Sequence, residues 1–215
     1  MQGDTDSKRI AVLGVAPDGW REVLADRLSK AGWTVVPTSG DHDPSSSPDA
    51  VVLLELDPGA VAGRSFADTD EAAWDALAEA PARRTLVVLQ RARAAMGPAG
   101  LQFVLMQPAT ALEGSEQLVA ATTGWEAQRV LLKSAARRWG TAGFRANVVL
   151  VRPDALVAAP DGRVPADALR TPPALDRSAC GIDAVIDTVL LLLRPEGAAL
   201  TGATLAVDGG ALMQP

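Results

Sequence analysis

A chain of 215 residues, 48% of them hydrophobic, is long enough for one domain with a sizeable core. One cysteine (Cys180) and one histidine (His42) exclude a disulfide framework and a usual zinc site, and the absence of tyrosine removes the phenol as an acid. A net charge of −6 argues against nucleic acid as a main partner, because neutralising phosphates needs clustered surplus cations.

Arg9–Val15 (RIAVLGV) is a short apolar run ending just past Gly14, followed by Pro17–Asp18–Gly19 and an amphipathic segment. There Val23, Leu24, Arg27 and Leu28 fall at helical spacing before Ala31–Gly32, and Trp33–Pro37 (WTVVP) is a second β-type run. This β-turn-α-β order opens a parallel α/β sheet. A polar loop, Ser39–Pro48, leads directly into a third buried-type strand, Ala50–Leu56 (AVVLLEL). Asp68 with Glu71 has the spacing of a capping box for a helix to Ala80, which Pro81 should interrupt.

Thr85–Gln90 has strand composition, yet the arginines and alanines after it allow a helix to Met96. Leu101–Gln107 is the next strand. Thr123–Trp139 is the clearest helix, with Thr123 as N-cap and Glu126 at N3. Strand Ala146–Val151, a Pro-rich loop to about Pro173, helix Ile182–Leu193 and strand Thr204–Val207 complete the chain. The expected architecture is α/β, with a parallel sheet covered by helices on both faces, over one domain of residues 1–215. Met1–Lys8 is polar and acidic, and the most apolar stretch, Ala184–Leu193, is too short to span a bilayer. The chain therefore reads as soluble and cytoplasmic, without a membrane partner.

Phe144–Pro153 (FRANVVLVRP) resembles the "IRVNAVAP" strand of the short-chain dehydrogenase/reductase (SDR) family, and Thr201–Gly210 (TGATLAVDGG) resembles its closing "TGxxLxVDGG" segment. Trp74–Asp75 and the opening βαβ of Ile10–Val36 agree with it. The resemblance implies a Rossmann-like doubly wound sheet of about six strands, in the order 2-1-4-5-6-7 of the family's labels. The third strand is missing, because region 38–50 is shortened. It also implies NAD(P) and hydride transfer by Asn, Ser, Tyr and Lys. Counted back from Asn147, the tyrosine position falls on Ala121, the lysine position on Trp125 and the serine position on Pro108; counted on from Trp74–Asp75, the asparagine position falls on Pro81.

The glycine-rich cofactor turn is also altered. Leu13–Trp20 reads LGVAPDGW: Gly14 remains, Asp18 and Trp20 stand at glycine positions, and Gly19 is adjacent. Trp20 is expected to crowd the phosphates, and Asp18 to repel them. Ser115 and Lys133 stand off the matching positions.

Of the remaining polar groups, Glu55, Glu126 and Asp154 are carboxylates near the expected cleft, two of which could form an acid–base pair. His42 reads as solvated, Cys180 as packed, Trp125 as filling the vacated pocket, and Arg83–Arg84 and Arg91–Arg93 as the wet side of a helix. In the SDR family the helices equivalent to 82–96 and 123–139 pack against a second subunit. The leading expectation is a non-catalytic subunit that pairs with an active SDR, the NAD or NADP lying on that partner and none on this chain; otherwise the chain would form a homodimer or homotetramer. A second is a repurposed protein acting on a hydrophobic acyl or polyketide-like substrate without NAD(P), using Glu55 or Asp154. A third is an atypical NAD(P)-dependent reductase.

Overall fold

The computed structural model describes residues 7–38, 44, 47–112, 114–156, 172–175 and 180–213. Six strands form one parallel sheet: β1 (Arg9–Val15), β2 (Thr34–Val35), β3 (Ala50–Glu55), β4 (Leu101–Pro108), β5 (Phe144–Val151) and β6 (Thr204–Val207). Their order is β2-β1-β3-β4-β5-β6, as the resemblance implied. Helices α1 (Trp20–Lys30) and α5 (Ile182–Leu193) cover one face, and α3 (Ala80–Ala95) and α4 (Val119–Trp139) the other. Because both faces are covered, the middle strands are apolar at nearly every position rather than alternating. Along β4, Leu101, Phe103 and Leu105 enter the core beneath α3 and α4, while Val104 and Met106 enter the opposite core.

β2 stops at Val35, short of the expected run. Lys8 and Ile10 carbonyls accept from the backbone of Thr34 and Val36, but the next carbonyls on that edge, Val12 and Gly14, have no strand beside them. Arg21 from α1 donates to both, at 2.6 and 2.5 Å. One guanidinium thus continues the ladder that the short strand leaves open.

The helix before α3 starts later than the expected cap. α2 (Glu71–Trp74) is capped by Asp70, which accepts from the Ala73 N–H at 2.8 Å, while Asp68 bonds Ser65. A π-turn over Asp75–Glu79 then joins α2 to α3 without a break, so Pro81 sits in the first turn of α3 instead of interrupting a helix. A proline is tolerated there, since its missing N–H falls where the helical ladder is already shifted. Thr85–Gln90 lies inside α3. α4 begins at Val119, one turn before Thr123, whose hydroxyl donates back to the Val119 carbonyl at 2.8 Å rather than capping. α4 crosses the π-turn at Gly124, where an added Cβ would stand 2.5 Å from the Leu77 carbonyl oxygen.

Candidate active site

The C-terminal ends of β1 and β3 flank the point where strand order reverses, the place where open α/β sheets bind ligands. A cavity of about 230 Å³ lies there, bounded by Gly14 and Val15 of β1, Glu55 and Asp57 after β3, Pro81 and Arg84 of α3, and Trp125 of α4. A second cavity of about 320 Å³ adjoins it and includes Ala121 in its wall.

Glu55 is 6% exposed at the end of β3. Arg84 donates to it twice, Nε to Oε1 at 3.3 Å and Nη2 to Oε2 at 2.7 Å. A paired carboxylate with this bidentate fork holds the guanidinium plane in one orientation. Arg84 is therefore not on the wet side of its helix: it stands one turn after Pro81 and shares its cavity.

The four tetrad-equivalent positions come together in part. Pro81 and Trp125 line the first cavity, Ala121 lines the second, and Pro108 is buried at the end of β4. Trp125 is 3% exposed and forms a wall of its cavity without filling it.

Near the end of β1, Gly14 has φ 91°, and an added Cβ would stand 2.0 Å from the Leu54 carbonyl oxygen. Its glycine is required by the close approach of β3. Asp18 and Gly19 are exposed, and around Gly19 an added Cβ would meet nothing within 4 Å. Trp20 is buried and belongs to the same core cluster as Leu24 and Leu28.

The other carboxylates do not pair with one another. Asp154 accepts from Nε and Nη2 of Arg152, both at 2.9 Å, and Glu126 binds Arg129. Hydrogen bonding to Asp154 holds the Arg152 guanidinium above its ordinary range, against the opposing effect of burial. Cys180 is buried, and Ser115 accepts from the Gln117 N–H. Lys133 is exposed on α4. His42 lies outside the described residues. Among the described buried polar side chains, Gln107 has both amide atoms unpaired, and Thr110 an unpaired hydroxyl, neither of them singled out by its sequence context.

The sheet order and the cleft at its switch point define a Rossmann-like α/β fold. Residues 57–211 match the sequence profile of the enoyl-(acyl carrier protein) reductase family, and the chain belongs to that family of SDR oxidoreductases. No curated protein matches the chain in sequence. Among solved structures, FabI from Candidatus Liberibacter asiaticus is similar at 19% identity and TM-score 0.77, covering 97% of each chain. The angucycline C-6 ketoreductase LanV, solved with bound NADP, is similar at 17% identity and TM-score 0.73, with 95% of each chain covered. The Bacillus cereus enoyl-acyl carrier protein reductase, solved with NADP+ and indole naphthyridinone, gives 16% identity and TM-score 0.70, with 97% of this chain and 98% of that one covered.

Membership of a reductase family, with reductases among the similar structures, overturns the expectation of a non-catalytic subunit. Of the four vacated positions, Pro81, Ala121 and Trp125 border open cavities, and one of those cavities holds a fixed guanidinium. Among the described residues no helix is long and apolar enough to cross a membrane.

Proposed function

We propose that this chain reduces the activated carbon–carbon double bond of an α,β-unsaturated acyl thioester, with a nicotinamide nucleotide as co-substrate. The observation that carries this reading is Arg84, held by buried Glu55 at the wall of the switch-point cavity. The similar structures solved with NADP and NADP+ and the family's description support it.

The residues fit such a nucleotide sterically. Gly19 leaves the turn open, and Val15 and Trp125 border the space beyond; Asp18 at the turn and Asp57 in the cavity wall are adverse charges. When bound, the reduced nicotinamide would supply a hydride.

The chain's own residues select the reaction. Addition to the β-carbon of an unsaturated thioester moves negative charge onto the thioester oxygen, where a preorganised guanidinium stabilises it without giving up a proton. Two of Arg84's five N–H groups go to Glu55, and Nη1 makes no hydrogen bond among the described residues. Glu55 is a positioning residue: it fixes the plane from which Nη1 presents its hydrogens. Water then protonates the α-carbon. Reduction of a ketone would instead concentrate the charge on an alkoxide, which needs a proton in step with hydride transfer rather than afterwards from water, and no side chain lining this cavity is a ready donor near neutral pH. Leu86, Val87 and Val130 are exposed on α3 and α4, and a homodimer across these helices belongs to the same reading. Light scattering that gave a monomer mass would remove the dimer.

The test is a titration of the purified chain with NADPH and NADH, followed by Trp fluorescence, then turnover with crotonyl-coenzyme A. Binding and nicotinamide oxidation are expected. Absence of nucleotide binding at millimolar concentration would overturn the reading.

A further inference from the structure

Gln128 is fully buried on the inner face of α4, one turn past Trp125 and one turn before Leu132. Its Nε2 donates to the Pro81 carbonyl at 3.2 Å and to the Thr85 hydroxyl at 3.0 Å. Both acceptors lie in the first turns of α3, four residues apart, and therefore one above the other on the same face of that helix. Arg84 directly precedes Thr85, and Pro81 lines the cavity that holds the Arg84 guanidinium. One amide thus grips α3 on either side of the turn from which Arg84 springs.

The backbone around it makes this grip possible. Gly124, four residues before Gln128, lets α4 lie against the π-turn, where an added Cβ would stand 2.5 Å from the Leu77 carbonyl oxygen. That π-turn shifts the helical register just ahead of α3, so an ideal helix does not by itself set the direction in which Arg84 leaves the backbone. Gln128 supplies the reference from another element. It does so at a cost, because its Oε1 is buried without a hydrogen-bond partner among the described residues, which an apolar side chain would avoid. Groups kept at such a cost are expected where they serve a site.

We infer that Gln128 is a positioning residue, which aims the Arg84 guanidinium into its cavity by holding Pro81 and Thr85. Glu55 fixes the head of the Arg84 side chain, and Gln128 fixes the helix that carries it. With the helix free to slide or turn, the same ion pair would present Nη1 from a different place. The inference rests on the proposed thioester reading only for the oxygen that Arg84 serves.

The experiment follows arginine Nε–H resonances in the full chain labelled with nitrogen-15. Arg84→Lys assigns the Arg84 signal by its loss. Arg152, whose Nε donates to Asp154 at 2.9 Å, is the internal control, assigned in the same way with Arg152→Lys. In the wild type both signals should exchange slowly with water, since a carboxylate holds each. Gln128→Met keeps the side-chain length and removes the donor; Arg84 should lose its exchange protection while Arg152 keeps it. Thr85→Val removes one of the two acceptors, should move Arg84 the same way by less, and decides the question if Gln128→Met fails to fold. In turnover of crotonyl-coenzyme A, Gln128→Met should lower kcat about tenfold with the KM for nucleotide unchanged. An Arg84 signal that is unchanged in a folded variant overturns the inference, as does equal loss at Arg152, which marks a general loosening. Loss confined to Arg84 in a chain without crotonyl turnover sinks the thioester reading and leaves the role of Gln128 standing. Wild-type turnover whose kcat is unchanged in folded Gln128→Met does the reverse.

Discussion

At the N-terminal ends of the strands, Trp139 meets Phe144 edge-on at 5.2 Å between ring centroids, and Phe103 lies 6.3 Å from Phe144. Beside them Gly100 and Gly143 approach so closely that an added Cβ on Gly100 would stand 2.4 Å from the Gly143 carbonyl oxygen. At the C-terminal ends the same sheet finishes in Glu55, Gln107, Thr110 and Arg152, all at least nine-tenths buried. A buried polar group without a partner costs roughly 1–3 kcal/mol, so such groups are concentrated where they serve chemistry. Gln102 and Thr204 each leave one unpaired oxygen at the strand starts, but the C-terminal end carries Gln107 with both amide atoms unpaired, Thr110, and the ion-paired Glu55 and Arg152, so the polar load is heavier there.

That contrast can be broken from either end. Gly100→Ala places a side chain at φ 87° and against backbone, and should destabilise the fold by roughly 2–4 kcal/mol in urea unfolding. Thioester affinity of the folded fraction should not change. Arg84→Gln should lower turnover about a hundredfold with nucleotide affinity kept, because it removes a transition-state donor. An equal loss of nucleotide binding would mean Arg84 holds the cofactor and not the substrate oxygen. Phe144→Leu should cost about 1–2 kcal/mol in the same unfolding assay and leave kinetics alone, since it removes ring contacts at the far end. The smallest effect is the most diagnostic. Gln107→Leu removes a fully buried amide with no partner and should stabilise the chain by about 1 kcal/mol. A destabilised variant would show that the amide is satisfied, and the contrast between the two ends would weaken.

The strands were legible because each is a continuous apolar run bounded by turn residues, and their order followed from the resemblance to a doubly wound family. Helix starts were less so. Asp70 caps where Asp68 was expected, and Val119 begins α4 where Thr123 was expected, because tertiary packing overrides the local cap signal. The positions vacated by the family's tyrosine and lysine were visible as Ala121 and Trp125, but whether they collapse or leave space depends on neighbours from other elements. Arg84 reads from its helix as a surface cation; only Glu55, 29 residues earlier and on another strand, turns it inward. Trp20 looked like an obstacle from its place in the turn; its burial in one cluster with Leu24 and Leu28 is set by the core and not by the turn sequence. Gln107 gives no local signal, since a single polar residue closing an apolar strand reads as a solvated end.

The central claim is that Arg84 serves an oxygen gaining charge during conjugate reduction, in a cleft without a proton donor for an alkoxide. The most direct measurement compares two thioesters of equal chain length, crotonyl- and acetoacetyl-coenzyme A, by nicotinamide oxidation with the purified chain alone. The account predicts turnover of the crotonyl thioester, lost in Arg84→Gln, and none of the acetoacetyl thioester. Equal or faster reduction of the acetoacetyl thioester, or crotonyl turnover that survives in Arg84→Gln, would contradict it.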